Sequence, residues 1–291
     1  MNAITRQLST VLSDRYRGTP TSDVWILDRQ QGTLDRFTVG GGWQATWTPD
    51  GRRTAFATDA GIYVKRADGT GSTATVVKGT SLHPGSWLPD GRALVFQANG
   101  RADTRSDLGL ATVGDSVPRW LVATEFRERQ PQAPPDGRWL AYGSDRTGQF
   151  EISVQPLVGE GPRVQVSTEG GDSPRWSPDS RTLYYEAGGS IVAAARIPGA
   201  DFQVSSRKAV AEVTAIDLNG SNVNWDIHPD GKQSSISIRA AAGMRNSSGS
   251  SIGPSWFGRW RQDDESAERR VRSESAECRV RSDTRREDTD R

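Results

Sequence analysis

Short apolar runs with a period of two recur along this chain, and tight polar corners join them in pairs. Trp43, Ala45 and Trp47 lead into Pro49-Asp50-Gly51, and Thr54-Ala55-Phe56-Ala57 leads away. The pattern returns at Trp87-Leu88-Pro89-Asp90-Gly91, Ala133-Pro134-Pro135-Asp136-Gly137, Trp176-Ser177-Pro178-Asp179-Ser180 and Ile227-His228-Pro229-Asp230-Gly231. Pro presets φ at the first turn position, Asp bonds the backbone ahead of it, and Gly accepts positive φ. Each unit therefore predicts a β-hairpin. The five prolines are spaced by 40, 46, 43 and 51 residues. A period near 45 fits a four-stranded propeller blade rather than a helical repeat.

A second strand pair follows each hairpin. Gly61-Ile62-Tyr63-Val64 leads to Thr75-Val76-Val77, and Leu108-Gly109-Leu110-Ala111 to Trp120-Leu121-Val122. Glu151-Ile152-Ser153-Val154 leads to Val164-Gln165-Val166, and Ser190-Ile191-Val192-Ala193 to a weaker stretch near Val210 to Val213. The fold class predicted is all-β, a propeller of four-stranded antiparallel blades. An irregular sandwich is the alternative. Two closures stay open. The strands Asp23 to Asp28 and Asp35 to Val39 complete the blade of the fifth hairpin, giving five blades. Otherwise Leu8 to Leu12 and Trp256 to Trp260 add strands, giving six blades with incomplete ends.

The expected organisation is a partial strand or disordered lead over 1–20 and the propeller over 21–240. A Gly/Ser-rich segment with a possible last strand covers 241–261, and a disordered charged tail covers 262–291. The tail holds a near-duplicate, Ser266 to Glu274 against Ser275 to Asp283, and Val271 and Val280 are its only sizeable aliphatics. Such a segment buries too little apolar surface to offset its ordering entropy.

Composition narrows the chemistry. Of 291 residues, 37 are Lys or Arg and 36 Asp or Glu, a net charge of +1. That balance gives no electrostatic case for nucleic acid. No apolar run reaches a membrane span, and Met1 to Arg17 lacks the apolar stretch of a signal peptide. Cys278 is the single cysteine, so an internal disulfide is excluded. Two histidines, His83 and His228, make a weak metal case. Gly249-Ser250-Ser251-Ile252-Gly253 spells a nucleophile elbow but sits in a Gly/Ser run, and no His follows it. No catalytic residue, metal or cofactor is expected, and the chain is read as not an enzyme. Trp47, Trp87 and Trp176 share one repeat position, which marks them as packing between blades.

Residues that meet a partner are sought in the segments leading into each hairpin and in the charged turns after its second strand. The loop candidates are Trp43, His83, Arg127, Glu128, Arg129, Asp145, Arg146, Glu169, Asp172 and Asn222. The partner expected is a protein or peptide, bound by a monomer.

Trp47-Thr-Pro-Asp-Gly-Arg52, Trp87-Leu-Pro-Asp-Gly-Arg92 and Pro135-Asp-Gly-Arg-Trp-Leu-Ala-Tyr142 resemble the repeats of TolB-like propellers, a WD-repeat-like class, over residues 20–238. Ser22 to Asp28, Trp139 to Asp145 and Val166 to Gly171 are similar to the C-terminal propeller region of bacterial receptor-type serine/threonine protein kinases. The resemblance implies a sensor or docking module of a bacterial signalling protein. The alternative is an accessory propeller of a kinase or a prolyl-oligopeptidase-like peptidase. It also implies a periplasmic or extracytoplasmic location, which the sequence itself leaves unknown.

Overall fold

In the computed structural model, residues 8–9, 23–28, 33–100, 104–115, 117–212, 225–227, 233–237 and 257–261 are described. They fall into two units, one carrying the first nineteen strands and the other the last three. Among the described residues there is no helix.

The first unit begins with a three-stranded sheet of β1 (Leu8–Ser9), β2 (Trp25–Asp28) and β3 (Thr33–Arg36). Four four-stranded sheets follow in chain order. They are β4 (Trp43–Trp47), β5 (Arg53–Thr58), β6 (Gly61–Arg66) and β7 (Ala74–Lys78); then β8 (Leu82–Trp87), β9 (Ala93–Asn99), β10 (Ser106–Thr112) and β11 (Arg119–Val122); then β12 (Glu128–Gln132), β13 (Trp139–Ser144), β14 (Glu151–Pro156) and β15 (Val164–Gln165); then β16 (Asp172–Trp176), β17 (Thr182–Ala187), β18 (Ser190–Arg196) and β19 (Val204–Glu212). Each is an antiparallel meander, the blade of a β-propeller. The second unit holds a three-stranded sheet of β20 (Trp225–Ile227), β21 (Gln233–Ser237) and β22 (Phe257–Arg261). The N-terminal strands therefore pair with Leu8–Ser9, and the last hairpin pairs with Phe257–Arg261.

Both faces of each blade are buried, which explains the near-continuous apolar runs after each corner. Successive strand residues point to opposite faces. On β13, Leu140 and Tyr142 turn back toward Val95, Leu108 and Val122 of the preceding blade. Trp139 and Ala141 turn forward to Trp176, Leu183 and Tyr185 of the next. The blade before repeats this, with Leu94 and Phe96 packed on Ala55, Ile62 and Val64. Trp87 and Trp176 are buried in these inter-blade layers, as the repeat predicts, whereas Trp47 is half-buried.

The corners explain why the motif recurs. Asp50, Asp90, Asp136 and Asp179 each accept the backbone N–H two residues on, at 2.9–3.0 Å. The next position has φ of 64°, 65° and 67° at Gly51, Gly91 and Gly137, and 59° at Ser180. Neighbouring corners touch. A Cβ on Gly91 would lie 3.6 Å from Pro49, and one on Gly137 3.2 Å from Pro89. Asp136 N–H donates to Ser180 Oγ at 3.0 Å, so the non-glycine corner exchanges backbone ease for a bond between blades. The fifth corner, Pro229 to Gly231, lies outside the described residues, as does the charged tail 262–291.

One strand differs from expectation. The fourth strand of the last blade runs Val204–Glu212 rather than starting near Val210. It pairs with β18 alone and its Ser205 to Ala209 stretch is exposed, so no buried alternation marks it.

Candidate functional site

The first strand of every blade starts at the end remote from its corner. Counting back from each corner proline, Trp43, His83, Arg129 and Asp172 occupy one register position in four successive blades. Just after them the ladder slips, between Trp43 and Thr46, Pro84 and Trp87, Arg129 and Gln132, and Asp172 and Arg175. These are β-bulges, which re-aim side chains at sheet ends. Three take a left-handed residue, Gln44 (φ 47°), Gln130 (φ 54°) and Ser173 (φ 55°). The fourth has Pro84, whose ring fixes a negative φ.

Two of these re-aimed backbones are held by the blade before them. Gln97 Oε1 accepts Gln130 N–H at 3.0 Å, and Gln130 Oε1 in turn accepts Ser173 N–H at 2.7 Å. Gln97 Nε2 donates to Asn99 Oδ1 at 2.7 Å, Asn99 Nδ2 meets His83 Nε2 at 3.0 Å, and His83 Nδ1 meets Gln44 Oε1 at 2.6 Å. A polar chain thus links four blades at this leading end.

Charge gathers at its far side. Arg129 pairs with Asp172 at 2.6 Å, and its guanidinium lies 3.4 Å from the centre of the Phe150 ring. Asp172 is also the ladder partner of Glu186. Burial pushes the Glu186 carboxyl up to about 7, with the Asp172 charge adding to the effect and Arg129 opposing it. Burial raises Asp172 too, against the attraction of Arg129. Two carboxyls and one guanidinium in a half-dry site hold a proton near neutral pH.

A cavity of about 320 Å³ opens between the β8–β11 and β12–β15 blades. Leu121, Val122, Ala123 and Thr124 form one wall, and Glu128, Tyr142, Gln155, Arg146 and Arg163 the other. Tyr142 donates to Gln155 Oε1 at 2.9 Å. Burial pushes the Tyr142 hydroxyl up to about 12, against the positive fields of Arg163 and Arg146. Glu128 is 2% exposed. One of its oxygens accepts from Thr124 at 2.6 Å, while Oε2 has no hydrogen-bond partner among the described residues. Burial raises its carboxyl to about 6, Thr124 opposing and Asp107 and Asp145 reinforcing.

The loop candidates therefore divide. Arg146 lies in a turn and Glu169 in a bend, Asp145 sits in the irregular residue before that turn, and Arg127 makes an isolated bridge to Ser106. Trp43, His83, Glu128, Arg129 and Asp172 are not loop residues but lie in the first strands, because pairing resumes ahead of each bulge. Glu128 and Arg146 share the cavity, and Arg127 N–H donates to Asp145 Oδ1 at 2.8 Å. Asn222, His228 and Ser251 lie outside the described residues. Sequence reasoning missed Tyr142, Gln155 and Arg163, which come from β13, β14 and the segment leading into β15. Glu186 was also missed. Its signal was a charge inside the otherwise apolar run Leu183 to Ala187.

No protein-family profile matches the chain. An uncharacterized protein of Agrobacterium fabrum is 27% identical over 163 residues, 56% of this chain and 51% of its own length. The chain thus spans about half the length of the curated relative it matches. TolB from Acinetobacter baumannii superposes with a TM-score of 0.60 at 17% identity, over 82% of this chain and 56% of that one. The periplasmic gluconolactonase of Pseudomonas aeruginosa superposes with a TM-score of 0.53 at 15% identity, over 79% and 74%. These likenesses show the propeller fold. They also correct one expectation: the sequence leads one to expect no enzyme, yet the solved neighbours of this fold include a gluconolactonase. A fold that hosts catalysis elsewhere does not exclude it here.

Proposed function

We propose that this propeller is a protein- or peptide-binding module, the sensor or docking part of a larger bacterial signalling protein. The observation that carries the reading is the shared register of Trp43, His83, Arg129 and Asp172 on four successive strands, with different chemistry at each. A fixed frame that varies one row of side chains is how a rigid scaffold presents a recognition surface. Exposed Arg127, Arg146 and Glu169 flank that row.

The test is a display library of peptides joined to their carrier through their own C-termini, panned on the chain. Selected peptides should lose capture by Trp43→Ala and Arg127→Glu, while the melting curves of both variants stay within a few degrees of the parent. Equal capture by parent and variants, or no selected peptide, sinks the reading. The signalling half rests on the resemblance to receptor-kinase propellers. Sequencing the flanking locus tests it: an in-frame kinase domain supports it, and flanking reading frames without one remove it.

A further inference from the structure

The cavity between the β8–β11 and β12–β15 blades does not belong to the row of leading-end residues, and its chemistry is specific. It carries two guanidinium groups at an exposed rim, Arg146 and Arg163, and one buried carboxylate oxygen, Glu128 Oε2, that no described residue satisfies. A buried acceptor without a donor is costly, so a site that keeps one is shaped for a ligand that brings the donor. Arg146, Arg163 and Glu128 line this one cavity together with Tyr142. The ligand must therefore offer a negative group to the two arginines and an N–H or O–H to Glu128 within a few ångströms.

We infer that this cavity is a subsite for the free C-terminus of a peptide, Arg146 and Arg163 pairing with the terminal carboxylate and Glu128 Oε2 accepting the terminal amide N–H. This rests on the peptide-binding reading and deepens it. A chain terminus carries both groups on adjacent atoms of one residue. Guanidinium forks match carboxylates in geometry. The volume of about 320 Å³ lies at the small end of the range for ligand sites, enough for a chain end and not for a folded segment. Leu121, Val122 and Ala123 give the terminal side chain an apolar wall. Thr124 and Gln155 already hold their neighbours: Thr124 donates to Glu128, and Gln155 accepts from Tyr142. The wall is thus set before a ligand arrives, which lowers the ordering cost of binding.

The experiment is ligand-observed NMR on the full chain with four probes: N-acetyl-Ala-Leu, its C-terminal amide, free leucine and lactate. The acid dipeptide should bind, and its amide should bind about tenfold more weakly. Arg146→Gln and Arg163→Gln, both at exposed positions, should each weaken the acid about tenfold with an unchanged melting curve. Glu128→Gln should weaken it similarly, and the two arginine variants keep the test decisive if that buried change unfolds the chain. Equal binding of acid and amide, or indifference to both arginine variants, overturns the inference. So does stronger binding of leucine or lactate, which would make the cavity a small-metabolite site. Peptides selected by display have no free C-terminus, so their capture survives failure of this subsite, and their loss leaves the dipeptide result standing.

Discussion

The two ends of each first strand obey opposite rules. At the corner end, four turns share one geometry, one aspartate bond and one left-handed residue, and they touch in sequence. At the leading end, the ladder slip is common but the side chains are not: Trp43, His83, Arg129 and Asp172 differ in size, charge and polarity. Sameness at one end fixes where the strands lie, and that frees the other end to differ.

The largest effect should come from breaking the charged side of the leading end. Arg129→Met leaves Asp172 buried beside Glu186 without its guanidinium, and should cost about 3 kcal/mol of stability in urea unfolding. A cost within the range of a surface substitution would mean that this end is as free of structural duty as its variety suggests.

Proton uptake sharpens the contrast next. Glu186 and Glu128 titrate at about 7 and about 6 in the folded chain, above the ordinary 4.5. The folded state therefore binds more protons than the unfolded one between those values. The stability these carboxyls contribute is complete below pH ~4.5 and is lost as pH rises through ~6 and ~7. Unfolding free energy should fall by about 2 kcal/mol from pH 5.5 to 8.5, and Glu186→Gln should remove most of that slope. A slope that survives the substitution assigns the titration elsewhere.

The smallest effect tests the corners. Gly51 and Gly137 have nearly the same φ, but an added Cβ would meet a neighbouring proline only at Gly137. Gly51→Ala should cost about 1 kcal/mol from backbone strain alone, and Gly137→Ala about 2 kcal/mol. Thermal melts giving equal shifts would show that corner-to-corner contact adds nothing.

Most of the frame is legible in the sequence because it is built from local chemistry. Pro-Asp-Gly names its own turn, and an apolar run such as Trp139 to Tyr142 names a strand buried on both faces. The leading end is not legible in this way. Gln44, Gln130 and Ser173 adopt positive φ without the glycine that signals it, and for Gln130 and Ser173 the preceding blade supplies the compensating acceptor. Strands therefore begin at residues that read as loop. The cavity is illegible for a related reason: Glu128, Tyr142, Gln155 and Arg163 are scattered over 36 positions and meet only once the ladder is formed. Val204–Glu212 hid itself by being an outer strand with solvent on one side.

The handover of amide bonds from Gln97 to Gln130 and from Gln130 to Ser173 makes the blades non-interchangeable. Each one completes a defect in its successor, so cutting, duplicating or shuffling a single repeat would strand an acceptor on one side and a donor on the other. A grafted blade would therefore need its predecessor's glutamine to travel with it.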